Sequence, residues 1–525
     1  MKNINSKKMS NNEGKTNDKV QYFYGASVQG IQDFIFQTNK LKEIVGASEI
    51  VAEICTTAFG ELIGKDVHDP GMISDDPNWI VGAAGNVKYI FAEKKDCEKA
   101  VLNFPKKVMT IAPGITISQA VVPLKDDLSD YEIQADKLEK LLVSQRNKQV
   151  RPMTLGMIAI SRSPATGLPA VIEKGGELLD EASLNKISKH NTVRKLSEKS
   201  FGIGVLSDKK IAYDIDKLTG KNDWIAVIHA DGNGIGNIIR AIGKDKDDMK
   251  LFSGMLDNIT TKAANEAYKA VEEKFDGSKA IPLRPVVLSG DDMTLICRAD
   301  LAIDYTKCFI ETFEKESQEQ FKQFALKKAD NQEKINQGLT VCAGIAFVKS
   351  SYPFHYSVHL AETLCSRAKR AAKKIDEDLA PSCLMFHKVQ DSFIENFDQI
   401  ASRELIPTDT KLNFEAGPYY CGDRALKVYK DQCQTTLAEL IYNVKQLKGT
   451  SVRSHLRQWV ELLFENVETA NQKMKRLRKL DDSVGTFIPE DFEKLNVTDH
   501  RIIPYYDMLS FASILHVETK KEDSI

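Results

Sequence analysis

The chain has 525 residues, too many for one hydrophobic core, so two to four domains are expected. Its 72 basic and 74 acidic residues nearly cancel, which excludes a protein that coats nucleic acid by bulk charge but leaves room for a local basic groove. No run of about 18 apolar residues occurs, which argues against a spanning helix, and the nine cysteines include no CxxC pair, which leaves a zinc ribbon without support.

Residues 1–19 are polar, lack an apolar stretch and read as a disordered tail rather than a signal peptide. Cys297 and Cys342 sit inside apolar runs and read as buried free thiols. The expected address is therefore the reducing cytoplasm, with no membrane partner.

A first unit spans residues 20–150. It opens with a β-rich run at 20–26, followed by apolar residues at helical spacing over 41–62. WIVGAAGNVKYIFA, residues 79–92, reads as a hairpin; a second helix starts near Asp96 and a strand at 115–124 closes the unit. Residues 151–220, turn-rich and then polar and basic, read as a linker region.

A second unit, 221–395, replays this order. WIAVIHADGNGIG, residues 224–236, is a buried strand running into a Gly-rich turn. A helix over 247–275, a hairpin over 285–299, a helix over 301–322, a strand over 339–348 and a helix over 362–375 follow. Strand, helix, hairpin, helix, strand is the ferredoxin-like plan, so the expected class is α+β with two such domains in one chain. Residues 396–525 carry helical stretches at 424–447, 452–480 and 505–517 and form a C-terminal helical domain.

The chemistry concentrates in the second unit. Asp231 follows a buried strand immediately, where a carboxylate is costly unless something positive meets it. Gly232, Gly234 and Gly236 let the backbone turn tightly, and the N–H groups there, at Gly232, Asn233 and Gly234, can hold phosphate oxygens. Sixty residues on, Ser289-Gly290-Asp291-Asp292 forms a turn between two runs of β-formers. Adjacent carboxylates repel unless a cation neutralises them. In a ferredoxin-like sheet the first strand and the hairpin are neighbours, so Asp231, Asp291 and Asp292 would converge as ligands for Mg²⁺ or Mn²⁺. Either motif alone is an ordinary turn; on matched strands of one unit they point to a metal site. GNGIGN does not fit the dinucleotide-binding fingerprint.

At these residues the sequence resembles the large polymerase/cyclase subunit of type III CRISPR complexes and its stand-alone relatives. GASVQGIQDFIF at 25–36 and GASEIVAEI at 46–54 are similar to the opening of that family's first palm domain. GAAGN at 82–86 matches its acid-free hairpin, and RPVVLSGDDMTLI at 284–296 its catalytic hairpin. TVCAGIAFVKSSYPFHYSVHLAETLCSRAK at 340–369 resembles the strand and helix that follow.

The resemblance implies two palm domains of the nucleotidyl-cyclase fold, the first non-catalytic and the second catalytic. It implies that Asp231 and Asp291 are metal ligands, with Asp292 a second ligand or a support. Lys369 would face the triphosphate of ATP or another NTP, with Lys373 a weaker candidate one helical turn on. The first palm is either the platform for an acceptor nucleotide, through Gly82, Gly85 and Asn86, or only a packing partner.

The sequence departs from the family in three ways. Ser289 replaces the first glycine of the family's Gly-Gly-Asp-Asp turn. The Cys-rich zinc motif between the palms has no counterpart. The N-terminal nuclease domain of many members has no match either; His68-Asp69 reads as a surface loop, and no DNA cleavage is expected.

Two readings follow. One is a Mg²⁺-dependent nucleotidyltransferase making a cyclic di- or oligonucleotide signal for antiviral defence, acting on ATP or, in a weaker version, GTP. The other is a large scaffold subunit of an RNA-guided complex, with RNA or other complex subunits as partners and conditional cyclase activity. The basic stretch 471–480 could meet RNA or phosphate but reads first as a solvated helix face. His229 reads as a core residue on the opposite strand face from the site. His355 and His359, four apart, lack an evident third ligand.

Overall fold

The computed structural model describes residues 20–65, 75–83, 85–125, 128–148, 159–189, 194–208, 211–212, 214–219, 223–275, 280–323, 325–390, 396–407, 412–433, 435–447, 452–480, 501–502 and 504–515. The expected tail 1–19 and the pair His68-Asp69 lie outside them.

The first unit forms a four-stranded sheet from β1 (Gln21–Gln29), β2 (Trp79–Ala83), β3 (Asn86–Phe91) and β4 (Thr116–Leu124). The strand order is β2-β3-β1-β4, with every neighbouring pair antiparallel. One face of the sheet closes on helices through an aromatic cluster. The Phe59 ring lies 5.3 Å from Trp79, 5.9 Å from Tyr89 and 5.2 Å from Phe104, each edge-on. Such offset geometry favours aromatic pairs beyond the area they bury.

Residues 151–220, read from sequence as a linker, contain regular structure. β5 (Ala170–Lys174) and β6 (Glu177–Asp180) form a two-stranded ladder, followed by helices Glu181–Lys189 and Arg194–Phe201. These helices pack on the two units and are polar on their outer faces, which is why composition alone suggested a connector.

The second unit repeats the first. β7 (Trp224–Gly232) is apolar on both faces as far as Ile228 and lies between β9 (Asp292–Arg298) and β10 (Val341–Lys349), antiparallel to both. β8 (Leu283–Ser289) pairs with β9 as a hairpin. The order β8-β9-β7-β10 matches β2-β3-β1-β4 strand for strand, and the sheet continues into β11 (Cys383–Lys388).

β11 runs parallel to β10, and a parallel neighbour needs a crossover. Helix Phe354–Lys373 is that crossover and lies across β7, β10 and β11. Because it runs back from the end of β10, its last turns arrive beside the end of β7. Helix Lys246–Glu272 starts at the Asp245 carboxylate, which accepts from the Asp247 and Asp248 N–H groups at 2.9 and 3.1 Å.

The two units exchange equivalent elements. Helix Leu41–Glu53 of the first packs on β8 of the second, while helix Lys246–Glu272 of the second packs on β2 of the first. The Ser48 hydroxyl donates to the Val286 carbonyl, and Lys250 Nζ donates to the Asp76 carbonyl at 2.6 Å. This reciprocity is that of a pseudo-two-fold pair.

The C-terminal part holds β12 (Leu412–Asn413), helices Leu437–Gln446, Val452–Glu465, Val467–Leu480 and Tyr505–Leu515, and a two-residue β13 (Tyr419–Tyr420) that joins the edge of the second sheet beside β11. Two ferredoxin-like sheets with C-terminal helices are thus the observed architecture. Among the described residues no helix is long and apolar enough to cross a membrane, and all nine cysteines are free, eight of them buried.

Candidate active site

β7 carries Asp231 to the end of the sheet. Its last register pair with β9 is Ala230 with Met293, one step short of Asp292. Across the hairpin, Ser289 pairs with Asp292, and Gly290 at φ 63° makes the turn that sets Asp291 at the tip. The result is three half-buried carboxylates, from Asp231, Asp291 and Asp292, with oxygens that lie within 4.8 Å of one another.

Electrostatics confirms the crowding. Burial, and then the Asp231 charge, holds the Asp291 carboxyl above the usual carboxylate range. Burial, Asp231 and Asp291 together do the same to Asp292. Clustered acids of this kind are stable as anions only beside a cation. The chain supplies one: the Lys369 ammonium pairs with Asp231 and donates to the Gly232 carbonyl at 2.8 Å. Burial disfavours that ammonium, but Asp231 outweighs it and raises the Lys369 pKa.

Gly232 is fixed by space rather than by backbone angle. A Cβ there would stand 2.6 Å from Ile235 Cγ1 and 3.0 Å from Asp291 Cβ and Oδ2. The absence of a side chain is what lets the Asp291 carboxylate approach. Gly234, at φ 69°, is the left-handed cap of helix Ile235–Ile242. From below, Thr260 Oγ1 donates to the Gly290 carbonyl at 2.5 Å, and Lys199 Nζ donates to the Leu288 carbonyl at 3.1 Å.

The remaining expected residues divide. Asn233 is fully buried; its Nδ2 donates to Thr340 Oγ1 at 3.1 Å and to Cys342 Sγ at 3.3 Å, away from the open side of the turn. Lys373 is exposed one helical turn beyond Lys369. His229 corrects the sequence reading. Side chains alternate along a strand, so residues 229 and 231 share a face. Its Nδ1 lies 3.1 Å from Thr294 Oγ1, and burial lowers its pKa to about 4, so the imidazole beside the carboxylates is neutral. The parity of the two positions was the signal that could have found it.

Register also places the corresponding residues of the first unit. Ala26 pairs with Val87 and Ser27 with Asn86, so Ser27 and Asn86 stand where the second unit has Asp231 and Asp292. Gly85 stands where Asp291 would be. It holds φ 73°, and a Cβ on it would meet Ile31 Cδ1 at 2.6 Å. An acid cannot occupy that tip without displacing Ile31. Gly82 lies in β2 before the turn.

Residues 224–376 match the family model described as Cas10/Cmr2, second palm domain. This segment, which contains all three aspartates and Lys369, is therefore a palm domain of that kind, as the resemblance implied. No curated protein matches the chain by sequence. Among solved structures it is similar to a chain of the Csm1-Csm4 cassette in complex with one ATP, at TM-score 0.50 and 13% identity over 95% of this chain and 70% of that one. The apo Csm1-Csm4 cassette matches at TM-score 0.49 and 13% identity, and the cassette in complex with cA4 at 0.46 and 12%, each over 95% of this chain and 70% of the other. At such identities the likeness is one of fold.

Proposed function

We propose, from the premise of a Cas10-type subunit, that this chain is a nucleotidyltransferase that joins NTPs, ATP foremost, into a cyclic di- or oligonucleotide signal for antiviral defence. The observation that carries the reading is the convergence of Asp231, Asp291 and Asp292 within 4.8 Å at the end of a palm sheet. The cyclic product and the defence role come from the family resemblance. The similar cassette solved with one ATP supports the choice of nucleotide.

The donor set fits a hard divalent cation such as Mg²⁺ or Mn²⁺: three carboxylates, all oxygen ligands, two of them held above the ordinary carboxylate pKa range. Asp231 and Asp291 would hold the ions, with Asp292 as a further ligand or support. When bound, a pair of such ions activates a ribose hydroxyl and neutralises the leaving pyrophosphate. The chain's own residues position and screen. Gly232 keeps the floor of the site low enough for Asp291 to close in. Lys369 pairs with Asp231 and orients it, and supplies positive charge for a triphosphate. The neutral His229, held against Thr294, adds no competing cation next to Asp231. Gly234, Ser289 and Gly290 lie on the turns that border the site and are the backbone candidates for phosphate contact.

The first unit, with Ser27, Gly85 and Asn86 at the corresponding positions, is suited to an acceptor role through Gly82, Gly85 and Asn86 rather than to metal binding. Partner subunits of the Csm4 kind are part of the same reading.

The test is incubation of the full chain with each NTP and Mg²⁺, followed by mass spectrometry of the products. Ring-closed oligonucleotides from ATP are expected. Linear products only, or product that survives Asp231→Ala and Asp291→Ala unchanged, would overturn the reading.

A further inference from the structure

The opposite end of the second sheet carries a separate cluster of side chains. Trp224 begins β7, its register partner Lys349 ends β10, and Lys388 ends β11. Lys349 Nζ lies 4.6 Å and Lys388 Nζ 4.4 Å from the centroid of the Trp224 indole, so two ammonium groups share one ring. Helix Val452–Glu465 adds Arg453 and Arg457, four residues apart and hence on one helical face. These three charges act on Lys388: burial first, then Arg457, Lys349 and Arg453, lower its pKa to about 8. Burial and Arg457 likewise lower the pKa of Arg453.

Two lysines thus share the Trp224 ring, and two arginines of a helix act on one of them, in a chain whose net charge is −2. The gathering is local and does not follow from composition. Asp223, the carboxylate next to Trp224, accepts from the Ser350 hydroxyl at 2.8 Å. The Lys388 ammonium donates to the Ser513 hydroxyl, a neutral partner. Like charges held together cost stability, and a bound anion relieves that cost. Lys349 and Arg457 are exposed, and Trp224, Lys388 and Arg453 are half-buried, so the cluster opens to solvent.

We propose that Lys349 and Lys388 on the Trp224 ring, with Arg453 and Arg457 of the neighbouring helix, form a binding site for a phosphodiester chain at the end of the second palm sheet opposite the aspartates. The paired guanidinium groups suit phosphate oxygens through their planar donors, and the ammonium groups suit them as point charges. Cations spread over three elements match successive phosphates of a strand better than one isolated anion. The indole offers a base a stacking surface once the lysines turn to phosphate. An RNA strand and an oligonucleotide product of the chain's own chemistry present the same backbone. This inference stands apart from the aspartate site and survives if that site has another function.

The test uses the full chain, a fluorescently labelled single-stranded RNA of about 12 nucleotides, and inorganic phosphate as a separate competitor. Binding is read by anisotropy across a salt series and by Trp224 fluorescence; Trp79 and Trp459 are buried and serve as an internal background. In the Lys349→Ala/Arg457→Ala double variant, affinity is expected to fall about tenfold or more. The slope of log K against log salt should flatten by about 1.4, the loss of two phosphate contacts on a single strand. Arg457→Lys should restore most of the slope, which a merely structural role would not. An unchanged affinity and slope in the double variant would overturn the proposal. So would phosphate alone binding at micromolar level while RNA leaves Trp224 fluorescence unmoved. A cyclic oligonucleotide that competes with the RNA would identify product as the occupant, and failure of that competition would identify an RNA strand.

Discussion

Gly232 shows how a single residue controls how closely a carboxylate can approach at the candidate site. A methyl group there meets Ile235 at 2.6 Å and the Asp291 side chain at 3.0 Å, and both belong to the turn region that must stay closed. Gly232→Ala is expected to reduce product formation at least about tenfold, equivalent to about 1.4 kcal/mol in the barrier. Circular dichroism should show the fold retained. Lys369 makes the second case. It compensates Asp231, so Lys369→Met should lower turnover and also weaken the chain's affinity for ATP, measured by equilibrium dialysis; an effect on stability alone would remove it from the site. Both positions were readable in the sequence to different degrees. The aspartates lie in short local patterns, a strand end and a tight turn, and local patterns survive in sequence. Lys369 lies 138 residues from Asp231 and was named only through family resemblance. His229 was misplaced because the strand's two-residue period was not applied to it, and Lys199 was missed because a helix in an apparent linker gives no local sign of the Leu288 carbonyl it reaches.

Among the elements, helix Phe354–Lys373 is the one on which the site depends. It packs on β10 at Gly344, where an added Cβ would run into the Ala361 carbonyl oxygen and stand 2.5 Å from the Cys365 nitrogen. Gly344→Ala therefore has to lift the helix. A loss of about 1–3 kcal/mol in denaturant unfolding is expected, as for overpacked cores, together with loss of activity, because the same helix carries Lys369. Further along the sheet, the edge strand β13 is held by a buried pair: Tyr419 OH donates to Asp507 Oδ2 at 2.7 Å. Burial raises the Asp507 pKa to about 7, against the opposing hydrogen bond from Tyr419. Between about pH 4 and pH 7 the folded chain keeps a proton that the unfolded chain releases, so stability falls as pH rises through that window. Above pH 7 the deficit is complete. Asp507→Asn should add up to about 4 kcal/mol at pH 8 and little at pH 4, measured by chemical denaturation at the two pH values. None of this edge was legible beforehand: a strand of two residues has no periodicity to read, and its partner lies 88 residues away.

For the whole molecule, two sheets of the same order exchange equivalent helices and strands, and only one retains acids at its hairpin. The repeat was visible in sequence as a repeated order of elements, because hairpins and helices of this length carry strong patterns. The contacts between the halves, Ser48 with Val286 and Lys250 with Asp76, join segments 238 and 174 residues apart and follow from the fold alone. On the proposed reading the asymmetry divides the labour: ions would bind the second unit, and the first would serve as an acceptor or a packing face. The measurement that tests this most directly is a Mn²⁺ titration of the full chain, followed by electron paramagnetic resonance with a non-hydrolysable ATP analogue present. Tight binding of about two ions is expected for the wild type, lost in Asp231→Asn and Asp291→Asn but kept in Asn86→Ala of the first unit. Equal Mn²⁺ binding by the wild type and both aspartate variants would contradict it.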